Sequence, residues 1–198
     1  MPRRPVILEG ERVFLSPPTK EDVELLLEYI NDKEVTQYLN LFPRIMTREM
    51  EERWLDNILN GREKDLFFFS IILKENGSLI GNSSLKVDFF NRTGRLGISL
   101  WRKDLWGRGL GRESVILTLD YGFNVLSLDV ISLDVMEFNE RAINCYKSVG
   151  FKEVGRKRCR ILRGSKKYDL IEMDMLRDEF NEMHESKVME ICSDSIRS

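Results

Sequence analysis

Apolar and polar positions alternate along this chain with two different periods, and the changes of period mark its elements. Arg12-Val13-Phe14-Leu15 is a short strand candidate. Thr19 then precedes Lys20-Glu21-Asp22 and an apolar series at Val23, Leu25, Leu26, Leu27 and Ile30. A hydroxyl at the N-cap, acids in the first turn and i, i+3/i+4 spacing predict a helix. Thr47 opens a second helix through Trp54, Leu55 and Ile58, which stops near Gly61. Two apolar runs at 66–74 and 79–87 flank Asn76-Gly77, the strongest short-range hairpin signal. A third strand fits residues 96–101.

A glycine-rich turn, Trp106 to Gly111, leads into a helix whose apolar face is wide (Val115, Ile116, Leu117, Leu119, Tyr121, Phe123), as suits packing on a sheet. Residues 128–135 form a strand whose alternation slips phase between Val130 and Ile131, predicting burial on both faces or a bulge. A short helix over 139–149 carries Ala142, Ile143, Tyr146 and Val149 on one side and ends at Gly150. Residues 151–161 and 167–176 read as a hairpin around Arg163-Gly164-Ser165. The order is mixed α and β, with one central sheet and helices on its faces. It predicts one domain over residues 1–177. The tail, 178–198, has Phe180, Met183, Val188, Ile191 and Cys192 at loosely helical spacing, which fits a docked helix or a frayed end.

Composition narrows the chemistry. The 198 residues are 42% hydrophobic and 32% charged with a net charge of −2, so no concentrated basic surface points to nucleic acid. The longest greasy run, Leu66 to Leu73, is too short to span a bilayer. Met1-Pro2-Arg3-Arg4-Pro5 is followed by no apolar stretch of signal-peptide length, so the expected location is the cytoplasm. The three cysteines, Cys145, Cys159 and Cys192, form no CxxC pair and suggest neither a disulfide framework nor a zinc site. His184 is the sole histidine. A Ser-His-Asp or Cys-His arrangement would depend on it alone, and an HExxH metal site is excluded. No metal is expected.

The turn Trp106-Gly107-Arg108-Gly109-Leu110-Gly111-Arg112 sits at a strand-to-helix junction. Glycines there let the main chain approach a bulky anion, and the free N–H groups and dipole of the first helical turn bind phosphate oxygens. Arg108 and Arg112 can add charge-assisted contacts. A dinucleotide fingerprint would need a third glycine where Ser114 stands, and a P-loop would need Gly-Lys-Ser/Thr where Gly111-Arg112-Glu113 stands. Taken alone, such a turn serves equally to pack a helix close on a strand.

A second motif settles on a family. Asn139-Glu140-Arg141-Ala142-Ile143-Asn144-Cys145-Tyr146-Lys147-Ser148-Val149-Gly150-Phe151, following a glycine turn, an amphipathic helix and a strand, resembles the GNAT superfamily of acetyl-CoA-dependent N-acetyltransferases. Leu105 to Gly111 and Lys167-Tyr168-Asp169 are similar to the ribosomal-protein-alanine (RimJ/RimL-like) branch, and the resemblance covers about residues 8–178. It implies a mixed, mostly antiparallel seven-stranded sheet with about four helices, splayed between the strands at 96–101 and 127–136. The pantetheine arm of acetyl-CoA would enter that splay and bond the main chain of Ser99, Leu100 and Trp101. Its pyrophosphate would rest on Gly107, Arg108, Gly109, Leu110, Gly111 and Arg112, and Asn139 would help hold the arm. Tyr146 falls where the family has a general acid that returns a proton to the thiolate. A thiolate with a parent pKa of about 8.5 is a tolerable leaving group that a phenol of pKa about 10 can protonate. Cys145 reads as a small buried hydrophobe, because neighbours on a helix point about 100° apart.

The match departs from the family at one position. Many relatives carry a glutamate on the strand before the glycine turn as general base, and this chain has Arg95, which cannot accept a proton. Either deprotonation falls to solvent or to another acid such as Asp88, Asp134 or Glu172, or Arg95 recruits an acidic substrate, or it is a plain solvent-facing residue. An α-amine, with a pKa near about 7.7–8, has a usable neutral fraction without a strong base, whereas a lysine-type amine at about 10.4 does not. The expected acceptor is therefore a protein or peptide α-amine, with a small amine (polyamine, amino acid or antibiotic) as the alternative. A non-catalytic acyl-CoA-binding module is a third reading. Helices 19–31 and 47–60 would wall the acceptor groove, with Tyr38, Phe42 and Trp54 as candidate lining. The resemblance also leaves a homodimer open.

Overall fold

The Asn76-Gly77 signal is realised as a hairpin between β3 (Leu66–Leu73) and β4 (Leu79–Asp88), and a second turn carries the chain into β5 (Thr93–Leu100). The computed structural model describes residues 4–39 and 45–188; Phe42, Ile191 and Cys192 lie outside them. Before the hairpin come β1 (Leu8–Glu9), β2 (Val13–Ser16), α1 (Val23–Ile30), α2 (Lys33–Thr36) and α3 (Arg48–Leu59). Thr47 caps α3, its Oγ1 accepting the Met50 N–H at 3.3 Å. After β5 come α4 (Leu110–Asp120), β6 (Val130–Met136), α5 (Glu140–Val149), the hairpin β7 (Lys152–Arg163) and β8 (Lys166–Leu176), and α6 (Arg177–Met183).

Among the described residues the eight strands form one mixed sheet in the order β1-β2-β3-β4-β5-β6-β8-β7, flanked by six α-helices. The strand beyond the expected seven is the two-residue β1. All neighbours are antiparallel except β5 and β6. These two pair only at Thr93–Val130, Gly94–Ile131 and Arg95–Ser132, and then part. Each keeps its outer partner throughout: β5 stays on β4 to Leu100, and β6 stays on β8 to Met136. The sheet is therefore forked, as the resemblance implied.

The phase slip at Val130 has a different cause from the one the pattern suggested. Leu128 belongs to the turn before β6, which starts at Val130 and then alternates cleanly, with Ile131, Leu133 and Val135 buried and no break in its register with β8. The irregularities lie elsewhere, in β7 between Glu153 and Gly155 and between Lys157 and Ile161, and in β3 at Ile71/Ile72. Side-chain layers fill the two faces. Leu96, Ile131, Leu133 and Val135 pack with Val115 and Leu119 of α4 and with Val149 at the end of α5. Trp101, Ile72 and Leu79 pack on the other face with Val23 and Leu26 of α1 and Leu55 of α3. Phe180 of α6 is fully buried in the first group, so the chain beyond 177 contributes to the core. Asp120, 1% exposed, holds the segment after α6: its carboxylate accepts from Ser186 Oγ at 2.6 Å, Lys187 N–H at 2.7 Å and Val188 N–H at 3.2 Å.

Candidate active site

The fork opens into a cavity of about 590 Å³ between β5, β6, the start of α4 and the inner side of α5. It gathers most of the residues singled out from sequence: Ser99 and Leu100, Gly107, Gly109, Leu110, Gly111 and Arg112, and Asn139 and Tyr146 all line it. Trp101 and Arg108 do not. The Trp101 side chain is buried against Tyr29 (centroids 5.6 Å apart), and the Trp101 main-chain N–H donates to Ile80 O at 2.9 Å. Arg108 is exposed, and its carbonyl accepts from Arg12 Nη1 at 2.6 Å.

The Trp101 bond also fixes which main-chain groups face the gap. Successive residues of a strand direct their N–H and C=O to opposite sides. With Trp101 bonded to β4, Ser99 is directed to β4 as well, and a Cβ on Gly81 would collide with the Ser99 carbonyl there. The groups directed into the fork are those of Ile98 and Leu100. Leu100 O is already taken by Trp106 Nε1 at 2.9 Å, which leaves the Leu100 N–H and both groups of Ile98 toward the cavity.

The glycine turn leaves the head of α4 open toward the cavity. Gly107 and Gly109 adopt left-handed φ values of 77° and 80°, where a side chain would be strained, and Gly109 is the N-cap of α4. The Glu113 N–H returns to Gly109 O at 3.1 Å, so the N–H groups of Leu110, Gly111 and Arg112 head the helix without intrahelical partners. The turn is anchored from outside. Glu113 accepts from Arg12 N at 2.7 Å and Arg12 Nε at 3.0 Å, and from Val13 N at 3.2 Å.

On the opposite wall, Asn139 caps α5 through Oδ1, which accepts the Ala142 N–H at 3.3 Å, so its amide N–H groups remain as donors. Tyr146 is half-buried, its ring edge-on to Phe151 at 5.9 Å, and its hydroxyl bonds no described residue. Burial raises its phenol well above the ordinary tyrosine value, with the neighbouring Cys145 adding to the shift. Cys145 also lines the cavity. Burial pushes its thiol up, and Arg112 only partly opposes this, so it is held as a thiol rather than a nucleophilic thiolate.

The remaining wall lies on the face opposite α4 and α5. Arg95 bonds Asp134 across the fork, and both line the cavity. Of the other acids considered as bases, Asp88 is tied to Asn91 at 2.7 and 3.0 Å, and Glu172 pairs with Lys157 at 3.2 Å; neither lines it. Tyr38 lines the cavity, whereas Trp54 packs edge-on to Phe68 at 5.0 Å away from it. Neither α1 nor α3 contributes lining; Val35, Tyr38 and Leu39, in and after α2, do. Sequence reasoning missed Arg141, whose guanidinium stacks 3.7 Å above Trp106 and 5.4 Å from Tyr38, closing the mouth with an Arg–aromatic bridge. The signal was its place two residues after Asn139 in the second motif. His184 lies elsewhere, with Nε2 2.8 Å from Val149 O. Among the described residues no group of three or more His, Cys, Asp and Glu could hold a metal, and no helix is long and apolar enough to cross a membrane.

A forked sheet with a phosphate-ready helix start and a phenol on the facing wall defines an acyltransferase that works on a coenzyme A thioester. The chain belongs to the GNAT acetyltransferases: the profile of the Acetyltransferase (GNAT) domain matches residues 12–152. It is 34% identical over 152 residues to the uncharacterized N-acetyltransferase p20 of Bacillus licheniformis, covering 75% of this chain and 83% of that one. It is 26% identical over 144 residues to the spermidine N(1)-acetyltransferase of Escherichia coli K12, covering 72% and 74%. The solved spermidine N-acetyltransferase of Vibrio cholerae, in complex with CoA and spermine, superposes with a TM-score of 0.79 at 20% identity over 87% of this chain and 99% of that one. The enzyme is thus an N-acetyltransferase that uses acetyl-CoA.

Proposed function

We propose that the acceptor is an α-amine, that of a protein or peptide N-terminus, as in the RimJ/RimL-like branch. The observation that carries this is the charge of the cavity wall: its one carboxylate among the described residues, Asp134, is already paired with Arg95, and Arg141 adds a further cation, so no acid is left for the second charge of a polyamine. A polycation entering such a wall meets repulsion that a single α-amine, partly neutral at physiological pH, largely escapes. The spermidine acetyltransferases among the relatives favour the second reading, a polyamine acceptor.

In the proposed mechanism the N–H groups of Leu110, Gly111 and Arg112, with the Arg112 guanidinium, receive the pyrophosphate. Arg108 is left out of that set because it lies outside the cavity, and Trp101 is left out of the pantetheine contacts because its main-chain N–H is bonded to Ile80 O. Main-chain groups of Ile98 and Leu100, with the Asn139 amide, hold the pantetheine arm as an added strand would. The amine nitrogen then attacks the thioester carbonyl carbon, the C–S bond breaks, and the electron pair leaves on sulfur. Tyr146 supplies its hydroxyl proton to that sulfur and recovers one from solvent as the product amide loses its own. Support for this role is the unbonded hydroxyl and the position on the cavity wall; burial keeps the phenol protonated but makes it a weaker donor.

The test is thiol release from acetyl-CoA against N-terminal peptides, free amino acids and polyamines. The expected result is a kcat/KM for the best peptide at least about tenfold above that for spermidine or spermine. Polyamines as the best acceptors would refute the α-amine reading.

A further inference from the structure

The Arg95–Asp134 pair has a feature that a simple cross-strand tie would lack. Asp134 is nearly buried, with 8% of its side chain exposed, while the Arg95 side chain is 48% exposed. Arg95 bonds Asp134 Oδ2 only. The other oxygen, Oδ1, is buried and accepts no hydrogen bond among the described residues. Lys157 Nζ stands 3.5 Å from it and is shared with Glu172 at 3.2 Å. A buried carboxylate oxygen left without a donor is costly, and native structures seldom leave one so. Both residues line the acetyl-transfer cavity, on the face away from α4 and α5, so a donor from the cavity can take the place of Arg95 on Oδ2 once Arg95 moves aside.

Building on the acetyltransferase reading, we propose that Arg95 and Asp134 form a two-pole receptor for an acceptor that carries a carboxylate within a few bonds of its reacting amine. Asp134 takes an N–H of the amine. Arg95, released from Asp134, takes the carboxylate through its planar fork. The exchange favours that class for a physical reason. A ligand offering both charges replaces one internal ion pair with two new ones. A monoamine must draw Asp134 away from Arg95 and leaves the guanidinium without a counter-charge, and a polyamine adds repulsion to that loss. Arg141 is occupied by its stacking on Trp106, and Arg112 sits at the head of α4, so Arg95 is the cation placed for this task. The arginine that stands where relatives have a glutamate becomes, on this reading, the specificity element.

The experiment compares acceptors that differ only in the carboxylate: peptides beginning with Asp or Glu against the same peptides beginning with Asn or Gln, and glycine against glycinamide. Peptide and free amino acid arms distinguish a side-chain carboxylate from an α-carboxylate as the group Arg95 receives. The wild-type enzyme should prefer the acidic member of at least one pair by about tenfold or more in kcat/KM. Arg95→Gln should bring that ratio close to one by raising KM for the acidic member, and Arg95→Lys, which keeps the charge but loses the fork, should fall between. Asp134→Asn should lower kcat/KM for both members. A wild-type ratio near one, or a ratio that survives Arg95→Gln, would overturn the proposal, whether or not the variant's Tm has dropped. Calorimetric binding of acetyl-CoA separates the layers. Binding and turnover without discrimination sinks only this inference, whereas no binding sinks the acetyltransferase chemistry on which it rests.

Discussion

Replacing Tyr146 with phenylalanine removes a single oxygen from the cavity wall, and its consequences for stability and for catalysis can be separated. The hydroxyl bonds no described residue, while the ring packs edge-on to Phe151 and against the core group shared by α4, α5 and β6. The ring stays, so folding stability should change by no more than about 0.5 kcal/mol. The catalytic effect should be far larger. Proton transfer from a positioned acid contributes about 10²–10⁴-fold. A thiolate of parent pKa about 8.5 leaves tolerably by itself, which points to the lower end. The expected loss is therefore about 10²-fold in kcat, or about 2.7 kcal/mol of barrier. Acetyl-CoA affinity and acceptor KM should hold steady, because the oxygen acts on the departing sulfur.

The titration of Tyr146 adds a constraint. Burial raises its pKa, so the phenol keeps its proton through neutral and mildly alkaline pH and should give no falling limb in kcat below about pH 10. In the unfolded chain the same phenol ionises near about pH 10 and in the fold only above that. Its neutral form therefore contributes nothing pH-dependent below about 10, and stability falls as pH rises past that value. Stopped-flow thiol release and thermal unfolding of Tyr146→Phe across pH measure both parts. A kcat within twofold of wild type would refute the proton-donor role. A Tm several degrees lower would show that the hydroxyl supports the fold instead.

Three further perturbations probe the fork and the packing around it. Gly81→Ala would drive a Cβ into the Ser99 carbonyl and to 3.0 Å from Leu100 Cα, both main chain, so thermal unfolding should show a loss of about 2 kcal/mol and calorimetry a weaker CoA complex. Desolvation pushes the buried Asp22 carboxyl up, but Arg4, the Thr19 N–H and Ser70 Oγ outweigh it and hold the group below its ordinary range. Its contribution should be full above about pH 3.9 and be lost as pH falls through the lower folded value, and Asp22→Ala should cost about 3 kcal/mol at neutral pH while removing that acid-side dependence. Asp120→Ala removes the acceptor for Ser186, Lys187 and Val188, so hydrogen exchange at the Lys187 and Val188 amides should accelerate while the β5 and β6 amides keep their protection; unchanged exchange would show that other contacts hold this segment.

Features carried by local chemistry were legible from the residues alone. Asn76-Gly77 and Arg163-Gly164-Ser165 marked the β3–β4 and β7–β8 hairpins, Thr47 marked the start of α3, and the glycines before Leu110 marked the turn into α4. Features that depend on register were not. Whether Ser99 or Ile98 faces the fork is decided by a single bond from Trp101 to Ile80, and no composition of the strand could reveal it. The charged run Arg156 to Arg160 hides an irregularity in β7, because polar residues on an exposed edge carry no phase. Tyr38, Trp106 and Arg141 come from three separate segments and meet only in the folded protein. Trp54, by contrast, looked like a groove residue and serves the packing of Phe68.

The fork itself arises from how β5 and β6 are held. Each strand satisfies one side fully, β5 on β4 and β6 on β8, and three residue pairs suffice to fix them together at their N-terminal ends. Beyond Arg95 and Ser132 the inner main-chain groups diverge, and closing them would require tearing a strand from its outer neighbour. The opening is also held from within: Trp106 takes Leu100 O, and Arg141, reaching over from α5, stacks on the same indole. Unpaired strand edges are costly in a dry core and are ordinarily covered. Here the Ile98 and Leu100 groups open onto the cavity, so they are best satisfied by an extended ligand with amides of its own. The opening is therefore set by the strand register, and Arg95 and Asp134 are among the side chains that line it.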